Sequence, residues 1–477
     1  MINSKKKKEF FQRKKSTQCD RHFLPQINAN MQKSTDELVN QNSQFLISND
    51  LNLVCQSINF FSKNIDSINF KILTQLFRLD YQDCFYEDDL YDIQDCMNDL
   101  IESISKSQRI LENTEYGMII IKFLINFLNS KEKQFAVTSF ESISSFIYVN
   151  KDIASFLYSN GFFNQCFTSF QVYLHELSTL DNDNTTEITD IYYLISSLLK
   201  VFSSLFTHQD LVTYEYSSLV IECYNCLLNI ESPTNHVLKL KVLAFDNVYW
   251  FALSAPDASI QNLLTPHFVD VMLSLLNLKD DVKCSIFESI EKITSHGDQF
   301  SLLFLEPPID LLNRMTNCFN WENKTKYSFI RILKNFSACQ DISPSLKMAK
   351  TPIVTEFVKY VLDNCSYGAQ KEAFIVLFYM IMTNSTILLE YVLTNYIRFF
   401  PNLHDILNTN DTYFNGICLY SINICFNFVE TKDNNTYSQF LEIFKDVDWT
   451  NLFDQFSTNP DENISKLAIA LIDKIEK

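Results

Sequence analysis

The chain has 477 residues, a net charge of −18, five Gly, ten Pro and 42 Phe. At that length a single compact core is unusual, and so little Gly excludes a fold crowded with tight hairpins or phosphate-cradling loops, which leaves helices joined by short polar turns. Thirteen Cys, an odd number without a spacing framework, point to thiols packed as small hydrophobes in a reducing compartment, so the expected location is cytoplasmic and nuclear.

Residues 1–22 hold Lys5, Lys6, Lys7, Lys8, Arg13, Lys14, Lys15 and Arg21 against Glu9 and Asp20, a balance of +6 that leaves −24 for the remainder. A basic arm over residues 1–35 on an acidic body over 36–477 suits an acidic partner or the body itself, whereas the body repels nucleic acid and anionic membrane. The longest continuous apolar run, AFIVLFYMIM at 373–382, falls well short of the roughly 20 residues that span a bilayer. Between 83 and 100, DCFYEDDLYDIQDCMNDL gathers Asp83, Glu87, Asp88, Asp89, Asp92, Asp95 and Asp99. It lacks the Gly and Glu that a calcium loop requires and reads as an exposed acidic loop leading into a helix.

Helix-start signals recur further along. Thr265 precedes Pro266, Pro307 and Pro308 lie in LEPPIDLL, and Thr351 precedes Pro352. Pro suits the first helical position and Thr the cap before it, so three equivalent helices are expected to open at 266, 308 and 352. A second apolar helix follows each, and aligning these gives the series Phe60, Ser103, Ser145, Ser204, Trp250, Lys292, Asn335, Tyr379 and Asn423. Successive positions lie 42 to 46 residues apart, except for 59 between Ser145 and Ser204, where STLDNDNTTEITD at 178–190 reads as an insertion loop. ISKLAIALIDKIEK at the end reads as a curtailed last unit. Such self-similarity with purely helical patterns predicts an all-α fold, an armadillo/HEAT-type right-handed superhelical solenoid of about nine to ten helical repeats. The single C-x-x-C, Cys223 to Cys226, lies in an apolar helical stretch and reads as core.

Several of these stretches resemble the armadillo-repeat family, and within it importin-alpha. KEAFIVLFYMIMTNS (371–385) is similar to the family's third-helix pattern, FIRILKNFSA to its variant with Arg in place of Trp, and residues 127–167 to a whole unit with Gly161 before its second helix. SNDLNLVCQSINFFSKN (48–64) resembles the first unit, and KKKKEFFQRKKS (5–16) the start of the basic importin-beta-binding segment. The resemblance implies that third helices line a concave groove in which Asn clamps the backbone of an extended peptide and Trp holds the stems of its Lys residues.

This sequence departs from that pattern. The Asn column reads Ser103, Ser145, Ser204, Trp250, Lys292, Asn335, Tyr379, Asn423; the Trp column, four residues earlier, reads Asp99, Glu141, Lys200, Asp246, Glu288, Arg331, Ile375, Leu419. The clamp therefore carries over only to Asn335 and Asn423, while Asp99, Glu141, Asp246 and Glu288 form a negative ladder suited to a cationic ligand, with Trp250 and Arg331 beside it. Glu288 and Lys292 are spaced as an i,i+4 pair. The expected partners are proteins with basic extended segments, and importin-beta through the arm. No nucleophile elbow, Walker loop, dinucleotide fingerprint or metal-ligand cluster is found, so neither an enzyme nor a cofactor is expected. A scaffold or regulatory subunit without a transport role is the competing expectation.

Overall fold

The computed structural model describes residues 35–48, 50–77, 91–128, 133–180, 185–230, 235–407, 411–432, 434–445 and 447–476. The basic arm, Lys5 to Lys15, lies outside the described residues, as does the acidic run from Asp83 to Asp89. No strand occurs among the described residues. Two compact units divide at Ser107/Gln108, inside the span that the sequence presents as one array.

In the first unit, α1 (Leu51–Lys63) and α2 (Tyr91–Ile104) pack side by side. Both are amphipathic, and Ile58, Phe61, Met97, Leu100 and Ile101 are fully buried. Ser62 Oγ lies 2.9 Å from Ser103 Oγ and donates to the Asp99 carbonyl at 3.2 Å. Residues 41 apart are thus neighbours, within one turn of the spacing read from the sequence.

The second unit is a row of wall helices: α3 (Lys133–Val149), α4 (Thr185–Ser204), α5 (Asn235–Ser254), α6 (Asp280–Thr294), α7 (Asn323–Ser337), α8 (Tyr367–Met382), α9 (Thr412–Glu430) and α10 (Glu462–Ile475). Each packs on the next. Most units follow one plan, a short helix, a second helix and then the wall helix, as in Lys151–Ser159, Phe162–Thr179 and α4. Gly161 precedes the second helix at φ 73°, a left-handed conformation that strains any residue with a Cβ. Thr265 Oγ1 accepts from Phe268 N at 3.2 Å, with Pro266 at the first helical position, as the sequence predicts. At Pro352 the helix also opens, but Thr351 Oγ1 turns back to donate to the Lys347 carbonyl at 2.8 Å instead of capping.

Three expectations are corrected. No α-helix opens at Pro308: Asp310 and Asn317 adopt left-handed φ of 41° and 53°, which breaks the path into two 3-10 turns, Leu311–Arg314 and Cys318–Asn320. Of the span 178–190 expected as a loop, the ends are helical, because Phe162–Thr179 and α4 run to 18 and 20 residues, while 181–184 lie outside the described residues. The last unit is not curtailed, since Asn434–Phe444 and Val447–Ser457 precede α10. The stretch Thr185–Thr207, around α4, is long and apolar enough to cross a membrane, yet 67% of its most apolar window is buried within the protein. Cys223 is buried and Cys226 half-buried on the helix Tyr214–Leu228, the core placement expected of them.

Polar side chains fix the register between units. His208 Nε2 donates to the Ile147 carbonyl at 2.6 Å, Ser254 Oγ to the Phe206 carbonyl at 2.6 Å, and His296 Nε2 to the Ala252 carbonyl. Each donor sits four residues past the Asn column and bonds a carbonyl at, or just past, the C-terminal end of the preceding wall helix. Asn150 makes the densest junction: its Oδ1 caps Asp152 N and Ile153 N, and its Nδ2 donates to the Leu111 and Glu112 carbonyls at 3.3 and 3.1 Å. Asn150→Ala removes the cap and leaves buried carbonyls unpaired, so it is expected to lower the unfolding free energy by about 2–3 kcal/mol, read as a lower urea midpoint.

Candidate peptide-binding wall

Each of the wall helices α4 to α9 buries one side against outer helices and two flanks against the wall helices before and after it, so only a narrow stripe meets solvent. On α3 and α4 the stripe carries Glu141 and Lys200, both exposed and paired at 2.5 Å. Ser204 is buried. On α5 it carries Asp246 and Trp250, the latter 38% exposed and edge-on to Tyr249. Glu288 on α6 is half-buried and pairs with Lys324 of α7 at 3.1 Å, not with Lys292. Lys292 instead lies 3.5 Å from Glu291 and over the Tyr249 ring at 5.4 Å.

Asp246 is the unusual member. Burial pushes its carboxyl above the ordinary carboxylate range; a hydrogen bond from Ser285 opposes this, the charge of Glu288 adds to it, and Lys324 partly offsets it. The side chain nevertheless reaches solvent. A carboxylate crowded by protein and by a second acid, with too little cationic compensation, is where a cationic group from outside would be best received.

Arg331 and Asn335 face the protein instead. Arg331 Nη2 pairs with Glu291 Oε1 at 3.0 Å, and that carboxylate is only 5% exposed. Asn335 Nδ2 donates to the Glu291 carbonyl at 2.7 Å and to Thr294 Oγ1 at 3.0 Å. Both side chains thus grip one residue of α6, and the amide donors needed to clamp a peptide are already spent. Sequence reasoning missed Glu291, whose signal was another acid one turn past Glu288 on a helix facing an Arg.

Beyond α7 the expected ladder closes. Ile375 and Leu419 are buried, and Asn423 is half-buried with its Oδ1 enclosed and without a hydrogen-bond partner, so that oxygen is not presented on the wall face. On α9 the exposed large side chains are instead Tyr413 and Tyr420, at 60% and 45%. With Gly416, Ile417 and Leu467 they line a hollow of about 640 Å³ between α9 and α10. The Tyr379 and Tyr413 hydroxyls are hydrogen-bonded to each other, and Lys371 pairs with Asp411. Asp99 lies exposed on α2 in the first unit, and the other candidates belong to the second. Thus the structure brings Asp246, Trp250 and Glu288 together on neighbouring helices, keeps Glu141 in a closed pair with Lys200, and withdraws Arg331, Asn335 and Asn423.

No protein-family profile matches the chain. No curated protein matches its sequence. Among solved structures, Kap95p, from a study of its binding to RanGDP, superposes with a TM-score of 0.66 at 11% identity, over 92% of this chain and 53% of that one. Importin-beta gives 0.61 at 9% identity over 91% and 54%, and an engineered protein 0.59 at 12% over 92% and 99%. The chain spans about half the length of importin-beta. At these identities the likeness concerns the fold, which is a helical-repeat solenoid of armadillo/HEAT type.

Two outcomes check this placement. Asn335→Ala should lower stability by about 1–2 kcal/mol in urea unfolding while leaving the affinity for a basic peptide within about twofold, the reverse of what a peptide clamp would show. The folded-state pKa of Asp246 is raised, so the stability it contributes is present at acid pH and lost as pH rises through that value. Asp246→Asn should therefore raise Tm by about 1–3 °C at neutral pH, with the difference vanishing at acid pH in a calorimetric series.

Proposed function

We propose that the wall face of the second unit is a docking surface for a basic, extended segment of a protein partner, centred on Asp246, Glu288 and Trp250. The protein would then be an importin-alpha-like adaptor or scaffold acting without chemistry on its ligand. The observation that carries the proposal is the accessible Asp246 carboxylate, held above its ordinary pKa beside Glu288 and one helical turn from an exposed indole. A Lys or Arg side chain entering there would meet two carboxylates at its head and an aromatic face along its stem, and would relieve the repulsion between the acids. With Asn335 and Asn423 turned away, the grip would rest on charge and on aromatic contact more than on a ladder of backbone clamps, and would tolerate varied sequences.

Nuclear import is the process this reading suggests, with the arm of residues 1–22 engaging a carrier such as importin-beta. A labelled Lys/Arg-rich peptide of about a dozen residues should bind the full chain, and acidic control peptides should not. Asp246→Asn and Glu288→Gln should each weaken binding by about three- to fivefold, consistent with partly exposed ion pairs of under about 1 kcal/mol, and affinity should fall with added salt. Unchanged affinity in the double variant would remove the proposed surface. Equal capture of importin-beta with and without residues 1–22 would remove the import role but leave the peptide surface standing.

A further inference from the structure

We propose that Cys55 and Cys96 are a thiol modification site, a pair that peroxide converts to a reversible disulfide stapling α1 to α2 in the first unit. The register of that seam is the foundation. Ser62 meets Ser103 at 2.9 Å, and Cys55 and Cys96 lie seven residues earlier on their respective helices, two turns down the same stripe. The repeat offset of 41 that joins the serines therefore joins the cysteines as well, and the two thiols are hydrogen-bonded to each other. Asn59 Nδ2 donates to Cys96 Sγ at 3.2 Å, so Cys96 sits in a short polar chain, from Asn59 through Cys96 to Cys55. Neither sulfur is part of a disulfide.

The other cysteines differ. Cys166, Cys223 and Cys418 are buried, and burial is the first cause of their raised pKa. At Cys96 the hydrogen bond to Cys55 is the first cause and burial the second, which keeps the proton on Cys96 as donor to the Cys55 sulfur. Cys55 is half-buried and open to small oxidants, whereas Cys96 is 8% exposed. This arrangement makes Cys55 the attacking sulfur and Cys96 the resolving one. Cys55 Sγ attacks a peroxide oxygen, breaking the O–O bond to give a sulfenic acid and one water. Cys96 Sγ then displaces the sulfenic hydroxyl, which leaves as a second water with the Cys96 proton. Two thiols and one hydrogen peroxide thus yield one disulfide and two waters, and an added thiol reverses the bond by exchange.

The test uses the full chain. After brief treatment with a small excess of hydrogen peroxide and trapping of the remaining thiols with an alkylating agent, peptide mapping should recover residues 55 and 96 as one linked species about 2 Da lighter than the two free peptides. Dithiothreitol should reverse the link. Cys55→Ser and Cys96→Ser should each abolish it, with far-ultraviolet circular dichroism confirming that both variants fold, while Cys223→Ser should leave it unchanged. Closing a loop of some 40 residues should also raise the thermal transition of the first unit by several degrees in the oxidised protein. If Cys55 and Cys96 both remain alkylatable, or Cys55 passes to sulfinic acid with Cys96 still free, the proposal fails.

Discussion

An interior wall helix of the second unit, α4 to α9, must be covered on its back by an outer helix and on its flanks by the wall helices before and after it. In α8 the buried set runs Ala373, Phe374, Ile375, Val376, Leu377, Phe378, a continuous stretch that no single neighbour could cover. Stability in such an array is a sum of unit terms and nearest-neighbour terms, and here the neighbour terms carry the specificity. Apolar flanks attract without choosing a register. The choice is made by directional bonds across each seam: Ser289 to the Phe245 carbonyl, Asn335 to the Glu291 carbonyl, His208 to the Ile147 carbonyl.

The same requirement decides what is left for a ligand. Charged side chains on the wall are mostly bound between helices: Glu141 with Lys200, Arg331 with Glu291, Lys334 with Glu372, Lys371 with Asp411. Pairs as enclosed as Arg331 with Glu291 define the packing more than they strengthen it, because desolvation offsets much of their attraction. Around α5 and α6 this pattern lapses. Asp246 and Glu288 together have only Lys324 to answer them, and Trp250 is 38% exposed. A residue that destabilises the fold it belongs to is reasonably read as serving something outside that fold.

The sequence was legible wherever one-dimensional spacing sufficed. The series runs through α1 and α2 in the first unit and, from Ser145 to Asn423, through successive wall helices in the second; the Thr265–Pro266 start is capped as expected, and Gly161 occupies the left-handed position that its place before a helix requires. It was not legible where the outcome turned on rotation about a helix axis. One residue step is about 100° of rotation, so positions adjacent in sequence differ sharply on α9, where Leu419 is buried, Tyr420 is exposed and the Asn423 carboxamide oxygen is buried. The absent helix at Pro308 is of the same kind, because the backbone turns at Asp310 and Asn317 leave no signature in an apolar pattern that fits a helix equally well.

What the amino-acid sequence determined by itself is the helical repeat, its period, and which residues occupy one stripe, because these follow from periodicity and from the caps and breakers at helix ends. Only the tertiary structure decided whether a side chain on that stripe looks outward or across the seam. Arg331 and Asn335 illustrate it: their spacing put them together on one face, but the adjacent helix, 44 residues earlier in the chain, supplied the Glu291 carboxylate and carbonyl that they bind. Hydrogen-bond partners are matters of a few ångströms between separate helices, and no local pattern encodes that distance.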